Sequence, residues 1–584
     1  MKIALLCSSK SGMEASLGQR PLNEKDKRDE EEEPPPDMLA ECDSDETIDA
    51  VQQVLQERYQ VFRIESDDKA YARLKRLKPH LVFNIAERVI GPNRESHIPT
   101  VCEMLDIPYT GSDPLTLGLC LDKSRTKEIL SFHKIANPAF WIVESVEAIP
   151  AAVRLPAIIK PLYEGSSKGI KNNSVVRTPA ELYERVDEVI GTYKQPVIIE
   201  RFLGGREFTV GVLGNTPDLE ILPIVEIDHS RLPQGATPIY SYEAKWIWDT
   251  PDNPLEIFHC PADITGELKL RIEHLIARTC AVLRIRDWCR IDVRLDDAGA
   301  PNIIEVNPLP GILPNIEDNS CLPKAARTAG YSYSELIHRV VDVGIVFNAY
   351  EPVSGRADEQ LSEESVAEVA AGVNEALKPL GYVVNVIPLQ KSFFHFLRRV
   401  KDLNVDVLIN LCEGFYGRPQ WEPNVAATFE LMHLTFTGNH SRTLTVCQDK
   451  HMAKAVLGSH NLPTAPSQLI ASAAQPLEVR FPVIVKPNAE DASLGIGPHS
   501  VVADANGLTV QVKRILDMYK QPALVEEYIE GREFNVAVME NKTVEALPVS
   551  EIDFSQVPES MPHICSYEAK WLKDHVMYQT TPPI

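Results

Sequence analysis

The chain has 584 residues, of which 44% are hydrophobic and 24% charged, and its formal net charge is −24 at pH 7. This length predicts about three to five domains, and the negative charge argues against binding to nucleic acid or to an anionic membrane surface. No apolar run approaches the roughly 18 residues that span a bilayer, and the apolar run in MKIALLCSSKSG is too short for a secretion signal. We therefore predict a cytoplasmic protein whose 11 cysteines are reduced and mostly structural.

Residues 1–112 alternate short apolar runs with helical stretches. The runs MKIALLC and LVFNIA lie on either side of the helical stretch DETIDAVQQVLQERY. Such alternation predicts a domain with a parallel α/β sheet. It is interrupted by DKRDEEEEPPPD (26–37), whose low hydrophobicity and prolines predict a solvated, mobile, disordered insertion over residues 20–40. An acidic docking tail is the alternative.

Residues 113–340 have an α+β pattern, in which a strand ending in Lys160 is followed by the glycine- and serine-rich stretch EGSSKG. A lysine next to free backbone N–H groups is suited to phosphate oxygens, although the motif of a P-loop is absent and a plain turn is the alternative. The later stretch IIERFLGGREF could offer Glu200 to a purine edge and Glu207 to ribose hydroxyls, but the pattern alone does not decide this.

Two strands, IDVRLD and NIIEVNP, predict a hairpin that turns at DAGAP. The period of two puts Arg290, Asp292 and Arg294 on one face of the first strand, with Ile291 and Val293 on the other. On the second strand Glu305 and Asn307 point the same way, and Ile304 and Val306 point inward. Two carboxylates and an amide oxygen suit Mg²⁺ bridged to nucleotide phosphates better than zinc or a redox metal. An exposed strand face with surface ion pairs is the alternative.

The motifs of the first half return in the second half at a nearly constant spacing. PAIIKPLYEGSSKGI (156–170) matches PVIVKPNAEDASLGI (482–496), HLVFNIAE (80–87) matches DVLINLCE (406–413), and SYEAKW occurs at 241–246 and at 566–571. A constant spacing over several blocks indicates a tandem duplication. We predict that the second copy has an α/β domain over 341–440 and a further, shortened domain over 441–584.

The first copy resembles the D-alanine–D-alanine ligases of the ATP-grasp superfamily. The resemblance rests on six blocks in order: PYTGSDPLTLGLCLDK, KPLYEGSSKGI, IIERFLGGREFTV, SYEAKW, CRIDVRLDDAGAPNIIEVNPLPG and SCLPKAARTAGYSYSELI. It implies an ATP-grasp domain over 113–340, behind the α/β domain, and a shortened one over 441–584. It also implies an enzyme that joins two small amino acids through an acyl phosphate, with ADP and phosphate as by-products, in peptidoglycan synthesis for the cell wall.

The resemblance implies roles for individual residues. ATP phosphates would be held by Lys123, Lys160 and Lys245, under a loop that contains Glu164, Ser166 and Ser167. The base would be read by Glu200 and the backbone near Leu203, and the ribose by Glu207. Asp292, Glu305 and Asn307 would bind two Mg²⁺ ions, or Mn²⁺ in their place. Catalysis would involve Arg290, which stabilises the acyl phosphate and the tetrahedral intermediate, together with Lys245, Ser166 and Ser320, the last at the first substrate.

The departures from the family lie on the amino-acid side. The glutamate-rich helix start of the family has only Glu14 and Glu41 as candidates, and Glu87 stands where a histidine is usual. Trp246 replaces a tyrosine whose hydroxyl would bond the loop serine. A glutamate at position 87 would repel a substrate carboxylate and attract an amine, so the two substrates stay open. Isolated residues such as His229 are predicted to be packing or surface positions.

The second copy departs further. It retains Lys450, Lys486, Glu526, Glu533 and Lys570, but Asp491 stands where the first copy has Gly165, and its counterparts of Arg290 and the metal residues are not in the sequence, which ends at Ile584. We therefore expect an active first copy with a degenerate second copy that stabilises or regulates it. The alternatives are a first copy that joins another carboxylate and amine, and an inactive nucleotide-binding module. The copies are predicted to pair within one chain, with a homo-oligomer as a further option.

Overall fold

The computed structural model describes most of the chain in two compact units. The described residues are 1–18, 35, 37–89, 91–249, 254–317, 320–349, 360–390, 392–403, 405–415, 418–540 and 543–584. The first unit contains Met1–Val343, Leu377–Val384 and Leu403–Asp406. The second contains Gly344–Ala376, Asn385–Asp402 and Val407–Ile584.

A three-stranded parallel sheet opens the first unit. Strand β1 is central and almost wholly buried, as its apolar sequence requires, and the strand order is β2-β1-β3. The helix that follows the insertion begins after Ser44, whose hydroxyl accepts the N–H of Thr47. The elements are β1 (Lys2–Cys7), α1 (Lys10–Gly18), α2 (Asp45–Gln56), β2 (Gln60–Glu65), α3 (Ala70–Leu77), β3 (Leu81–Asn84) and α4 (His97–Met104).

The acidic insertion predicted over 20–40 lies mostly outside the described residues. Its end is described, and there Asp37 is only 6% exposed. The Asp37 carboxylate accepts the N–H of Gly169 at 3.0 Å and the hydroxyl of Tyr193 at 2.6 Å. The expectation of a solvated segment is therefore wrong for Asp37, because these two donors hold its carboxylate in the folded protein.

Two helices and a small antiparallel sheet follow. The strand order is β4-β7-β5-β6, and α7 packs on the sheet behind a capping box formed by Thr178 and Glu181. The apolar strands β5 and β7 are buried and end in the residues predicted to meet the nucleotide. The elements are α5 (Pro114–Leu121), α6 (Lys123–Phe132), β4 (Phe140–Val143), β5 (Ala157–Pro161), β6 (Val175–Val176), α7 (Pro179–Tyr193) and β7 (Val197–Arg201).

A six-stranded antiparallel sheet carries the predicted hairpin. Its order is β11-β10-β8-β12-β13, with β9 paired to β8, and the helix α8 covers its apolar face. A π-helical turn, Ala244–Trp248, precedes β11. The elements are β8 (Glu207–Leu213), β9 (Glu220–Ile221), β10 (Val225–Ile227), β11 (Phe258–His259), α8 (Gly266–Leu283), β12 (Trp288–Leu295), β13 (Pro301–Asn307), α9 (Cys321–Thr328) and α10 (Tyr333–His338).

In the hairpin of β12 and β13, the side chains lie on the predicted faces of the two strands except at one residue. Asp292 pairs with Glu305, but the next pair is Val293 with Ile303, so the register shifts there. Ile303 is therefore buried, and Ile304 lies at the cavity described below. The prediction that Ile304 points inward is wrong, because a bulge adds a residue to the simple period of two.

The second unit contains sheets with the same strand orders as the first two. They are β15-β14-β16 and β17-β20-β18-β19, followed by the pairs β21-β24 and β22-β23. Its strands are β14 (Asp342–Asn348), β15 (Val383–Leu389), β16 (Val407–Leu411), β17 (Ser467–Ile470), β18 (Val483–Pro487), β19 (Val501–Val502), β20 (Ala523–Glu527), β21 (Glu533–Asn535), β22 (Val538–Glu540), β23 (Val544–Ala546) and β24 (Ser550–Ile552). Its helices are α11 (Gln360–Leu377), α12 (Phe393–Leu403), α13 (Glu422–Leu431), α14 (Ser441–Gln448), α15 (Lys450–Ser459), α16 (Ala505–Tyr519), α17 (Tyr567–Trp571) and α18 (Val576–Thr580).

Matched phenylalanines in the two copies predict different stability losses. Phe208 in β8 is fully buried, whereas its counterpart Phe534 in β21 is 47% exposed. We expect Phe208→Ala to lower the free energy of unfolding by about 3–5 kcal/mol, since it leaves a cavity in the core. Phe534→Ala is expected to cost about 1 kcal/mol or less. Differential scanning calorimetry of both variants measures this, and equal losses would contradict the prediction.

Candidate active site

The predicted site residues line two adjoining cavities of the first unit. The larger has a volume of about 360 Å³, and the predicted residues that line it are Lys160, Ser166, Ser167, Glu200, Leu203, Glu207, Lys245, Arg290, Asp292, Glu305 and Ser320. The smaller has a volume of about 70 Å³ and adds Lys123, Glu164 and Asn307. These residues, which come from two sheets of the first unit and from the loops beside them and lie up to 197 positions apart in the sequence, thus share one concave site.

A buried carboxylate between two lysines lies among the residues predicted to bind the nucleotide. Glu200 Oε2 lies 3.0 Å from Lys160 Nζ, and Glu200 Oε1 lies 3.3 Å from Lys127 Nζ. Burial opposes ionisation of Glu200, but Lys127 and Lys160 outweigh it and hold its pKa below the usual range. Sequence reasoning missed Lys127, although it follows Lys123 by one helical turn on α6 and so shares its face.

A second buried carboxylate, Glu207, lies at the start of β8. Its Oε2 accepts from Arg294 Nη1 at 2.6 Å and lies 3.0 Å from His229 Nε2. Burial works against ionisation, yet Arg294 and His229 lower the pKa of Glu207 to about 2. His229 therefore contacts a predicted site residue, which its isolated position in the sequence did not indicate. Only the fold brings it next to Glu207.

The hairpin presents the predicted metal residues side by side. Arg290 Nη2 donates to Asp292 Oδ2 at 3.1 Å, Asn307 Nδ2 lies 3.5 Å from the same oxygen, and Glu305 Oε1 lies 3.0 Å from Lys123 Nζ. Burial disfavours the charge on Glu305, but Lys123, Lys160 and Arg290 lower its pKa to about 2. Burial raises the pKa of Asp292, and Glu305 adds to this against the effect of Arg290.

This donor set fits a hard divalent cation. Within the described part of the chain, Asp292 Oδ1 and Arg290 Nε are buried and make no hydrogen bond, and both residues line the larger cavity. Among the same residues no group of three or more His, Cys, Asp or Glu side chains is arranged to hold a metal ion. The hairpin supplies two carboxylates and one amide, so further ligands would come from the nucleotide or from water, as is usual for Mg²⁺.

The loop 164–169, predicted from the sequence to cover phosphates and called the phosphate loop below, lines both cavities. Ser166 and Ser167 have φ angles of 49° and 60°, a strained conformation for residues other than glycine that is frequent at functional sites. Lys123 Nζ donates to the Glu164 carbonyl, and Ser167 Oγ donates to the Tyr240 carbonyl at 2.9 Å. The Trp246 indole N–H donates to the Ser166 carbonyl at 3.3 Å. Trp246 thus still reaches the loop, but it bonds the backbone where a tyrosine would bond the serine hydroxyl.

Lys245 lies on the π-helical turn between the loop and the hairpin. Burial and the nearby guanidinium of Arg290 both disfavour its charge and lower its pKa to about 8. On the far side of the cavity, Ser320 Oγ donates to the Gly311 carbonyl at 3.0 Å and accepts the Leu313 N–H at 3.3 Å. Ser320 therefore orders the segment before α9.

One end of the larger cavity, which we call the substrate end because it carries the residues predicted for the amino-acid side, is rich in carboxylates. Asp43 and Glu87 line it, and burial raises the pKa of Asp43 to about 7 and that of Glu87 well above its usual range. Of the two candidate glutamates, Glu14 is exposed and lies outside both cavities, whereas Glu41 lines both. Sequence reasoning missed Asp43, although it stands two residues after Glu41 and directly before the cap of α2.

The model of one protein family matches both halves of the chain. The family is described as D-ala D-ala ligase C-terminus, and the matches cover residues 128–342 and 455–584. The chain belongs to the D-alanine–D-alanine ligase family. The predicted ATP-grasp fold, with α/β and α+β parts, is thereby confirmed, as is the prediction of an ATP-dependent ligase that forms C–N bonds.

Individual relatives of this ligase cover about half of its length. It is 33% identical over 304 residues to the uncharacterized protein y4sG of Sinorhizobium fredii. That alignment covers 50% of this chain and 86% of the relative. It is 31% identical over 283 residues to D-alanine–D-alanine ligase B of Chromobacterium violaceum, spanning 48% of this chain and 84% of that one. A crystal structure of the Bacillus anthracis D-alanine–D-alanine ligase complexed with ATP aligns with a TM-score of 0.41 and 21% identity, over 58% of this chain and 94% of that one. Among the described residues of the ligase, no helix has both the length and the apolar character needed to cross a membrane.

Proposed function

We propose that the first copy of this ligase joins the carboxylate of one amino acid to the amine of another at the expense of ATP. The observation that carries the proposal is the convergence of Lys160, Lys245 and Arg290 on Asp292 and Glu305 around a single cavity. These five side chains come from three strands and one helical turn, between positions 160 and 305 of the sequence. The site assignments made from the resemblance are part of this proposal.

The cations of the cavity would activate the first substrate. A carboxylate is a poor electrophile, so phosphoryl transfer from ATP must first convert it to an acyl phosphate. Lys123 and Lys160 would hold the phosphates, and each ammonium group has a carboxylate partner at 3.0 Å, Glu305 for Lys123 and Glu200 for Lys160. Mg²⁺ bound by Asp292, Glu305 and Asn307 would neutralise phosphate charge. Catalysis would then consist of positioning and electrostatics, with no covalent protein nucleophile.

The second half of the reaction would take place beside Arg290. The attack of an amine on the acyl phosphate places negative charge on the carbonyl oxygen before phosphate leaves. The Arg290 guanidinium, held by Asp292 at 3.1 Å, has a buried Nε that makes no other hydrogen bond among the described residues and could stabilise that charge. Lys245 and Ser320 line the same cavity and would contact a substrate carboxylate, and Ser166 would close over them from the loop.

Two hypotheses compete for the identity of the two amino-acid substrates. Relatives named D-alanine–D-alanine ligase suggest D-alanine for both substrates and a role in peptidoglycan synthesis. An ammonium group next to Glu87 and Asp43 would lower the raised pKa of both carboxyls and pair with their ionised forms, whereas a carboxylate there would not. A ligase for another amino-acid pair is therefore the second candidate. Both candidates use the same ATP side.

The role of the second copy is also proposed. The repeated strand orders and the second family match support a tandem duplication. Lys454 and Lys486 bind the carboxylate of Glu526, in the same arrangement as Lys127, Lys160 and Glu200. Asp491 in its loop would repel phosphate. We infer a structural or regulatory role for this copy, and its pairing with the first copy stays a prediction.

One assay tests the proposed function. Purified protein is incubated with Mg-ATP and single or paired D- and L-amino acids, and both phosphate release and the mass of the product are measured. We expect phosphate release that depends on two amino acids and yields one dipeptide per phosphate. Phosphate release without a dipeptide for every pair would contradict the proposal. A product from D-alanine alone would exclude the second candidate.

The lowered pKa of Lys245 predicts a pH dependence of the ligase reaction. The ammonium form predominates below about pH 8 and is lost as the pH rises through that value. The pH dependence of kcat/KM reports the pKa values of the essential groups in the free enzyme. We therefore expect kcat/KM for ATP to fall about tenfold per pH unit above about pH 8. Lys245→Arg, whose charge persists, should remove this fall. A wild-type profile that stays flat to about pH 9.5 would contradict the role of Lys245.

A further inference from the structure

A buried arginine of the α/β part reaches the phosphate loop through Glu41. The side chains of Arg94 and Glu41 are only 2% and 3% exposed. Arg94 Nε donates to Glu41 Oε2 at 3.1 Å, and Arg94 Nη2 donates to Glu41 Oε1 at 2.8 Å. This is the bidentate geometry of the strongest charge-assisted hydrogen bonds, and it holds both side chains in one orientation.

Glu41 continues from this pair to the loop itself. Its Oε1 also accepts the N–H of Gly165 at 2.6 Å, and its Oε2 lies 3.5 Å from Lys168 Nζ. Lys168 also pairs with Glu164, which lies 3.5 Å from Arg94 Nη2. We call Glu41, Arg94, Glu164 and Lys168 the loop clamp. It contains two carboxylates and two cations, so it adds no net charge beside the phosphates.

The packing at Gly165 is matched to the clamp. A Cβ atom at this position would lie 2.8 Å from Glu41 Oε1, closer than van der Waals contact allows. The φ angle of Gly165 is not in the left-handed region, so the backbone alone would accept alanine. Glycine is therefore required here by the Glu41 carboxylate and not by the turn.

The second copy shows what the loop does without a clamp. It has Asp491 and Leu494 at the positions of Gly165 and Lys168. Its loop nevertheless has the same turn, with φ angles of 52° and 60° at Ala492 and Ser493, and Trp571 Nε1 donates to the Ala492 carbonyl at 3.0 Å. The turn thus forms without the clamp. What the clamp adds in the first copy is a tether between the loop and the α/β part.

We propose that Arg94 and Glu41 are positioning residues that hold the phosphate loop over the nucleotide phosphates in the first copy. The inference rests on the proposed function of this site. Neither side chain needs to touch the reacting atoms. They act through Gly165 and Lys168, and loss of the tether would displace the loop, for which a shift of about 1 Å can cost on the order of 100-fold in rate.

Two variants test the clamp. Glu41→Leu combined with Arg94→Met replaces the buried pair by apolar side chains of similar size, which usually preserves folding. Gly165→Ala keeps every charge and disturbs only the contact with Glu41. In both we expect faster amide hydrogen exchange in residues 164–169, by about tenfold or more, and a KM for ATP raised by about tenfold, while the KM for each amino acid changes less.

Two controls separate this role from general destabilisation. Arg73→Ala removes an arginine whose ion pair with Asp67 lies outside the site, and it should leave both measurements unchanged. The loop 490–495 of the second copy provides an internal reference, and its exchange should not respond to any of these variants. Arg94→Lys retains the positive charge but not the bidentate geometry. Its amide exchange and its KM for ATP should therefore lie between those of the wild type and those of the double variant.

The outcomes decide the inference. Unchanged exchange in 164–169 in the double variant overturns the clamp, and faster exchange with an unchanged KM and kcat overturns its positioning role. If the wild-type protein forms no dipeptide, the proposed function fails. The dissociation constant for Mg-ATP, measured by calorimetry, then replaces KM, and an unchanged value in the double variant overturns the positioning role.

Discussion

Replacement of Glu305 by glutamine is expected to lower kcat for dipeptide formation by about 1000-fold or more, with little effect on folding. Glutamine has nearly the shape of glutamate but no charge. The change removes the carboxylate that lies 3.0 Å from Lys123 Nζ, on the residue opposite Asp292 in the hairpin. A divalent cation would lose one of its two anionic protein ligands, and Lys123 would lose the partner that aims it at the phosphates.

A matched carboxylate of the same hairpin provides the control. Asp297 lies in the turn between β12 and β13, its side chain is 75% exposed, and it pairs with Arg201 at the surface. Asp297→Asn should retain kcat within about twofold. Steady-state phosphate release and circular dichroism are measured for both variants. A folded Glu305→Gln protein that keeps more than about a tenth of the wild-type kcat would contradict the assignment of Glu305.

Lys160→Ala and Lys486→Ala are expected to differ in effect by at least about 100-fold, although the two lysines occupy equivalent positions at the ends of β5 and β18. Lys160→Ala should lower kcat/KM for ATP by about 100- to 1000-fold, because it removes a buried cation that lines the cavity and pairs with Glu200 at 3.0 Å. Lys486→Ala should change it by no more than about twofold, because the proposed reaction takes place in the first copy.

The pair of variants is its own control, since both delete a lysine partner of a buried glutamate. Lys486 pairs with Glu526 as Lys160 pairs with Glu200. Similar losses of stability by thermal unfolding, with different losses of activity, would support one active site in the first copy. If Lys486→Ala also abolished turnover, the proposed division between an active copy and a structural or regulatory copy would be wrong.

The hairpin illustrates how far the sequence alone could be interpreted. Alternation along β12 predicts that Arg290, Asp292 and Arg294 share a face, and all three line the cavity. The same alternation on β13 places Glu305 correctly but fails at Ile304. The bulge there is set by the pairing with β12 and cannot be predicted from the residues of β13 alone. Period-based reasoning therefore succeeds within one strand and fails where a neighbouring strand sets the register.

The contacts that sequence reasoning missed join residues far apart in the chain. Glu41 and Gly165 are 124 positions apart, and Arg294 and Glu207 are 87 apart. Lys127 could have been suspected from its spacing to Lys123, but its partner Glu200 could not. The end of the acidic insertion was misjudged for the same reason, because the charge of Asp37 predicts solvent while its donors, Gly169 and Tyr193, lie more than 130 positions away.

The sequence by itself determined the family, the ATP-grasp fold, the repeated motifs and many of the residues that line the two cavities. These follow from local patterns, since strand alternation, motif order and loop composition depend on neighbours in the chain. Only the tertiary structure decided which charges are paired, which are buried and how the phosphate loop is tethered. Those properties depend on how loops from separate sheets meet at one cavity, and the free energy of a buried charge is set by partners that no local pattern specifies.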